Sequence, residues 1–322
     1  MKLSKVPKND YVPEQHGPVY NFFYSLKTHF LTIMSVNLLF VIFNIPAILV
    51  AYFMTLFFLP YLNDMFTPAN FVQYMYDAGV VGNTSINDVG TDAAYQLYYL
   101  VVVMCIMFLV GSTLVVVGPF QAGFSQIYRN LYRQEGVFLF TDFKEGMKNN
   151  LKQSIGASVI SLVFTCICLF AIGFYGNTGT RFGTAAATFF AILFFVFIIV
   201  QNIVYTMMVS RDIKLSKIYK NAFLFFLLKF GPCLGLIVVM LVLFLLIPAL
   251  LLLTTTYFAM AVVVFYYLVF VFAFMQYLLS FFTGELIKEY IAPMDPPKSE
   301  EDDDYGDDFD DEEEEDDGEA IS

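Results

Sequence analysis

From Phe230 to Gly284 the chain carries no charged side chain and no histidine. An α-helix needs roughly 20 apolar residues to cross a bilayer, so this run is too long for one crossing and long enough for two. Inside lipid each crossing must satisfy its own backbone N–H and C=O groups, which leaves the helix as the available structure for such segments. The run divides where Thr254, Thr255 and Thr256 interrupt a Leu-rich stretch shortly after Pro248. This predicts spans over 231–253 and 257–282 joined by a tight connection. Four further intervals between charges, Lys27 to Asp64, Asp92 to Arg129, Lys152 to Arg181 and Arg181 to Arg211, predict spans over 30–59, 95–124, 153–176 and 183–209.

Composition agrees with that reading, since 58% of the residues are hydrophobic and 14% charged, against about 25% charged in soluble domains. The net charge of -12 is local: sixteen acidic residues lie between Glu300 and Glu319, and the rest of the chain holds more Lys and Arg than Asp and Glu. Orientation follows from the bases, because short cytoplasmic loops carry the excess of Lys and Arg. They cluster before the first span (Lys2, Lys5, Lys8, Lys27), in the 125–152 loop and in the 210–229 loop. The 61–92 connection has aspartates, glycines and no base, and is expected outside. Residues 1–27 hold no compact apolar core with a cleavage site, so the first span is expected to remain. Both termini are then cytoplasmic, with 28–290 as the membrane domain. Residues 291–322 form an acidic tail too poor in apolar groups to order itself, expected to be a solvated brush; weak divalent-cation binding, a basic partner and the chain's own cytoplasmic lysines are its candidate contacts, with the lysines preferred. The Asn83-Thr84-Ser85 sequon is expected to be fortuitous if the host is bacterial.

A weak repeat precedes the odd-numbered spans: NFFYSLKTHF (Asn21 to Phe30), EGMKNNLKQS (Glu145 to Ser154) and AFLFFLLKFG (Ala222 to Gly231). In the middle copy Phe143, Met147 and Leu151 recur every four residues beside Lys144, Lys148 and Lys152, the pattern of an interfacial amphipathic helix. Such lysines gain roughly 1 kcal/mol each near anionic head groups. The expected fold is an all-α transmembrane, six-helix bundle of three helical hairpins, each preceded by a short cytoplasmic interfacial helix.

The segment from Gly118 to Ser154 resembles the YesL-like family of bacterial multi-pass membrane proteins, also called domain of unknown function 624. Three features carry the resemblance: Gly118 and Pro119 with Ala122 and Gly123 closing span two; Arg129, Arg133 and Glu135; and Phe140-Thr141-Asp142-Phe143 leading to Asn-Leu-Lys-Gln-Ser at the start of span three. A weaker similarity extends from about Tyr20 to Tyr290. The resemblance implies an uncharacterised protein of the bacterial cytoplasmic membrane, associated with carbohydrate uptake.

The residues argue against catalysis. Only His16 and His29 are present, no Walker-type GxxxxGK[ST] loop occurs, and Cys166 and Cys168, two apart on a helix, point apart. The spans hold no acid or base of the kind that ion-coupled transport uses. No cofactor, metal or nucleic acid is expected. Asn37, Asn44, Gln201, Asn202 and Gln276 are the candidate intramembrane polar path, although interhelical hydrogen bonding accounts for such groups at least as often. Ser112, Thr113 and Thr165 belong to the same polar set, and Pro46, Pro119, Pro232 and Pro248 are places where helices can open. Thr141 or Asp142 is expected to cap the helix that follows. Arg129, Arg133, Lys144, Lys148 and Lys152 form a candidate contact for a partner or a lipid head group. These readings favour a non-enzymatic accessory or interaction protein whose partners are the lipid bilayer and a transporter subunit or another membrane protein. A small-solute channel or facilitator and a lipid-binding or lipid-sensing protein are the alternatives.

Overall fold

A computed structural model describes residues 17–79, 90–252 and 257–291. The acidic tail, the sequon and the connection between the last two spans lie outside the described residues. The described chain is helical, with no strand among its residues. In chain order the helices are α1 (Pro18–Thr28), α2 (Phe30–Phe43), α3 (Ile45–Leu62), α4 (Pro68–Asp77), α5 (Gly90–Gly111), α6 (Gly118–Tyr132), α7 (Leu139–Asn149), α8 (Leu151–Gly176), α9 (Arg181–Ser210), α10 (Leu215–Leu228), α11 (Phe230–Leu241), α12 (Ile247–Leu252), α13 (Tyr257–Tyr266) and α14 (Phe272–Tyr290). Wide π-helical turns, Val242–Leu246 and Tyr267–Val271, join α11 to α12 and α13 to α14. Among the described residues six helical segments are long and apolar enough to cross a membrane: Ile45–Leu62, Ala94–Gly111, Leu151–Gly176, Arg181–Ser210, Phe230–Leu251 and Ala261–Tyr290; the bent pair Pro18–Thr28 and Phe30–Phe43 would make a seventh if counted as one span.

Two segments depart from the expected spans. The run from Phe30 to Leu59 is not one rod: it breaks at Asn44, and the candidate span is Ile45–Leu62. Pro46 lacks an N–H for the preceding turn, and the Asn44 side chain turns back to donate to the Phe40 carbonyl at 3.0 Å. α2 instead bridges neighbours, with Phe30 against Phe270, Phe40 against Phe272 and Phe124, and Phe43 against Phe143. The second departure is in the 95–124 run. α5 stops at Gly111, and Gly118-Pro119, expected to close the span, instead opens α6, where proline at a first-turn position forfeits no bond.

One-residue corners at His29, Asn150 and Lys229 join α1 to α2, α7 to α8 and α10 to α11, with similar backbone angles (φ -106°, -112° and -118°). At the first, the axis turns by 76°. The Leu-Lys pairs that mark the sequence repeat fall near these corners without a common register. Lys27 precedes its corner, Lys229 occupies one, and Lys152 follows one.

The packing core lies where α6, α9 and α14 meet. Residues 201–209 of α9 are all buried, as are Phe124, Ile127, Tyr128 and Leu131 of α6 and Phe272, Met275, Tyr277 and Leu279 of α14. Aromatic stacking joins this core to α1, where Phe22 lies 5.5 Å from Tyr277 and 5.4 Å from Phe281, centroid to centroid.

Candidate functional site

The interval from Ser112 to Val117 is non-helical yet buried or half-buried, and Thr113 within it adopts φ 61°, a conformation that is costly for a β-branched residue. A helix break leaves carbonyls on one side and N–H groups on the other without intrahelical partners. Away from water each must find another partner or cost free energy. Here side chains from other helices supply them. Gln276 Nε2 donates to the Gly111 carbonyl at 2.9 Å, Asn202 Nδ2 to the Ser112 carbonyl at 3.0 Å, and Ser161 Oγ to the Leu114 carbonyl at 2.9 Å. On the far side the Val117 N–H donates to Asn44 Oδ1 at 3.2 Å.

The supporting amides also hold one another. Gln121 Nε2 donates to Gln276 Oε1 and Gln276 Nε2 to Asn202 Oδ1, both at 3.1 Å, while one helical turn further along Thr206 and Ser280 share a hydrogen bond of the same length. The structure therefore brings Asn202 and Gln276 together and adds Gln121 and Ser161. The spacing of apolar runs had no means of selecting those two.

The remaining polar-path candidates are placed elsewhere. Asn37 clamps the wide turn before α14: its Nδ2 donates to the Tyr267 and Leu268 carbonyls at 2.9 and 2.8 Å, and its Oδ1 accepts from the Ala273 N–H at 2.8 Å. Gln201 faces α8 and α10, donating to the Ala157 carbonyl at 3.1 Å and accepting from the Tyr219 hydroxyl at 2.7 Å. Asn44 serves the second-span break. Each amide is occupied by backbone at an irregular point or by a neighbouring polar side chain.

At the Tyr132 end of α6 the chain turns back and α7 packs along it. Close approach is possible because Gly123 and Gly146 lie between the helices: a Cβ on Gly123 would fall within 2.6 Å of the Phe143 ring, and one on Gly146 within 2.5 Å of Gln126. Phe143 is buried among Phe43, Phe120 and Phe124. The Phe143 and Met147 stripe thus faces protein rather than the acyl boundary, because α6 and α2 offer it an aromatic bed. Leu151 is 46% exposed, and so are Phe138 and Phe140, at 72% and 67%.

The cap also differs from expectation. α7 begins at Leu139 after Phe138, so Thr141 and Asp142 are inside its first turn. Asp142 Oδ2 reaches back to accept from the Phe138 N–H at 2.9 Å, which secures the helix start from within, and Thr141 is exposed.

The five candidate bases divide into two kinds. Arg129 is half-buried, donates to Gln126 Oε1 at 3.3 Å, and has its pKa lowered by burial and then by Arg133. Arg133 is exposed and pairs with Glu135 at 3.7 Å. Lys144, Lys148 and Lys152 project outward from α7 and the start of α8. Lys144 and Lys148 line a shallow trough with Phe140, Thr141, Glu145 and Asn149. Among the described residues no group of three or more His, Cys, Asp or Glu is placed to hold a metal ion.

The family model described as "Protein of unknown function, DUF624" matches residues 93–172, from α5 through the break, α6 and α7 into α8. That is the family whose resemblance is carried by Gly118 to Ser154. No curated protein and no solved structure matches the chain.

Proposed function

We propose that this chain is a non-enzymatic accessory protein of the bacterial cytoplasmic membrane, with both ends in the cytoplasm, that holds a partner through the basic end formed by α6, α7 and the start of α8. The observation that carries this reading is the contrast between interior and end. The interior amides are engaged at breaks and turns of the backbone, which gives them a structural task. The lysines at the end are exposed on a helix that is itself locked to α6 by Phe143 and two glycine contacts. A rigid, charged, outward face suits recognition of an acidic partner surface. The exposed apolar residues of α1 (Val19, Tyr20, Phe23) and α10 (Phe223, Leu224, Leu227) suit helices lying at the cytoplasmic interface, beside such a partner.

The test is affinity purification of the tagged protein from native membranes in mild detergent, with mass spectrometry of the co-purifying proteins and lipids. The reading expects a transporter subunit in stoichiometric amount, for which the family resemblance makes carbohydrate uptake the first place to look. It also expects the combined variant Lys144→Glu, Lys148→Glu, Lys152→Glu to lose that subunit while keeping its own elution volume. Recovery of the chain alone from native membranes would remove the reading and bring a lipid-binding role forward.

A further inference from the structure

We infer that the exposed lysine face of α7, α8 and α10 is the docking surface for this chain's own acidic segment, Glu300 to Glu319, which thereby covers the face on which the proposed partner would bind. The occupancy itself does not depend on that partner; only its regulatory meaning rests on the functional reading above.

Three observations lead to it. First, the face is continuous. Lys144, Lys148 and Lys152 are exposed, and Gln153 Nε2 donates to the Ile213 carbonyl at 3.2 Å, which brings the start of α8 beside the linker that leads to exposed Lys214, Lys217 and Lys220. Second, the face is poor in counter-charge: against six lysines, its exposed carboxylates are Glu145 in the trough and Asp212 in the linker. None of these six lysines has an ion-pair partner among the described residues, where Glu135 is paired with Arg133, Glu289 with Lys229, and Asp142 with a backbone N–H. Third, the chain leaves α14 at the same end of the bundle. The Tyr132 hydroxyl, at the end of α6, donates to Glu285 Oε1 at 3.0 Å, and Lys229 Nζ lies 3.0 Å from Glu289 Oε1.

The distances are compatible. Gly146 sits against Gln126, about 9 Å along α6 from Tyr132 at ~1.5 Å per helical residue. From Ile291 to Glu300, where the acidic run begins, the chain can extend about 30 Å at ~3.4 Å per residue. The segment carries sixteen carboxylates and a short tether, so its effective concentration at the lysines is on the order of millimolar. Exposed pairs of this kind are weak singly and screened over about 8 Å at physiological ionic strength. The contact therefore holds by number and yields to salt or to a better-matched acidic surface.

The experiment is carbodiimide coupling, which joins carboxylates to amines in direct contact, on the full-length protein in nanodiscs of neutral phosphatidylcholine with one copy per disc. Peptide mapping is expected to find Glu300 to Glu319 joined to Lys144, Lys148, Lys152, Lys214, Lys217 or Lys220. The yield should fall at least tenfold in 0.5 M salt, and for the first three positions be abolished by Lys144→Gln, Lys148→Gln and Lys152→Gln. These substitutions lie on an exposed face, and an unchanged elution volume and helical circular dichroism show that the fold persists. Coupling confined to Lys2, Lys5 and Lys8, or no coupling of the acidic segment, would overturn the inference. So would loss of the products in discs containing one-third phosphatidylglycerol, since anionic lipid would then be the occupant. No partner is present in this experiment, so its failure leaves the accessory role standing, and a failed purification leaves the docking standing.

Discussion

Single amide side chains do the work of missing backbone partners. Asn37 satisfies two carbonyls and one N–H around the Tyr267–Val271 turn, and leucine at that position fills similar space but bonds to none of them. Hydrogen bonds in membrane bundles average roughly 0.6 kcal/mol with maxima near 1.7, and leaving a buried partner unsatisfied adds to the loss. Asn37→Leu is therefore expected to destabilise by about 2 kcal/mol, read as a lower thermal midpoint in detergent, with Gln276→Leu close behind. Thr113 runs the other way. Its φ of 61° and a buried hydroxyl without a protein hydrogen-bond partner mean that Thr113→Gly relieves a strain of roughly 1–2 kcal/mol. The cost is some added freedom in the unfolded chain. A raised midpoint is expected; a lowered one would show that the threonine methyl contributes more to packing than the backbone loses in strain.

Among the elements, α7 separates pattern from placement. Its periodicity is plainly amphipathic in the sequence, and the choice of which medium meets the apolar stripe is made by α6, whose Gly123 lets Phe143 approach. With Phe143 inside and Phe140 outside, Phe143→Ala should destabilise by about 3 kcal/mol, whereas Phe140→Ala should leave the thermal midpoint unchanged. Single cysteines report the same geometry. A membrane-impermeant maleimide should label Phe140→Cys and Lys144→Cys in inside-out vesicles and spare Gly146→Cys, whose side chain would meet Gln126. Labelling at 146 that matches labelling at 144 would mean that α7 lifts from α6. The corners at His29, Asn150 and Lys229 illustrate the same division, since the Leu-Lys repeat marks their neighbourhood while the residue that turns differs in each.

For the whole molecule the proposed orientation makes one joint prediction. Ala69→Cys, exposed on α4, should react with the impermeant reagent on intact spheroplasts, and Lys148→Cys only in inside-out vesicles; both reacting from one side would refute the six-span, both-ends-inside arrangement. The helical class and the number of apolar segments were legible from charge spacing, because hydrocarbon admits few structures and each crossing needs a minimum apolar length. The resemblance to a membrane family was legible from Gly118 to Ser154, and the match over residues 93–172 bears it out. The interruptions were not. An apolar run reads alike whether it is one rod or two. The break from Ser112 to Val117 emerges only where distant groups, Asn202, Gln276 and Ser161, come close enough to replace the lost hydrogen bonds, and the interruption at Asn44 only where its own side chain turns back to the Phe40 carbonyl. The types of the polar residues were visible along the chain. Their tasks were set by which backbone atoms the folded helices bring within about 3 Å of them.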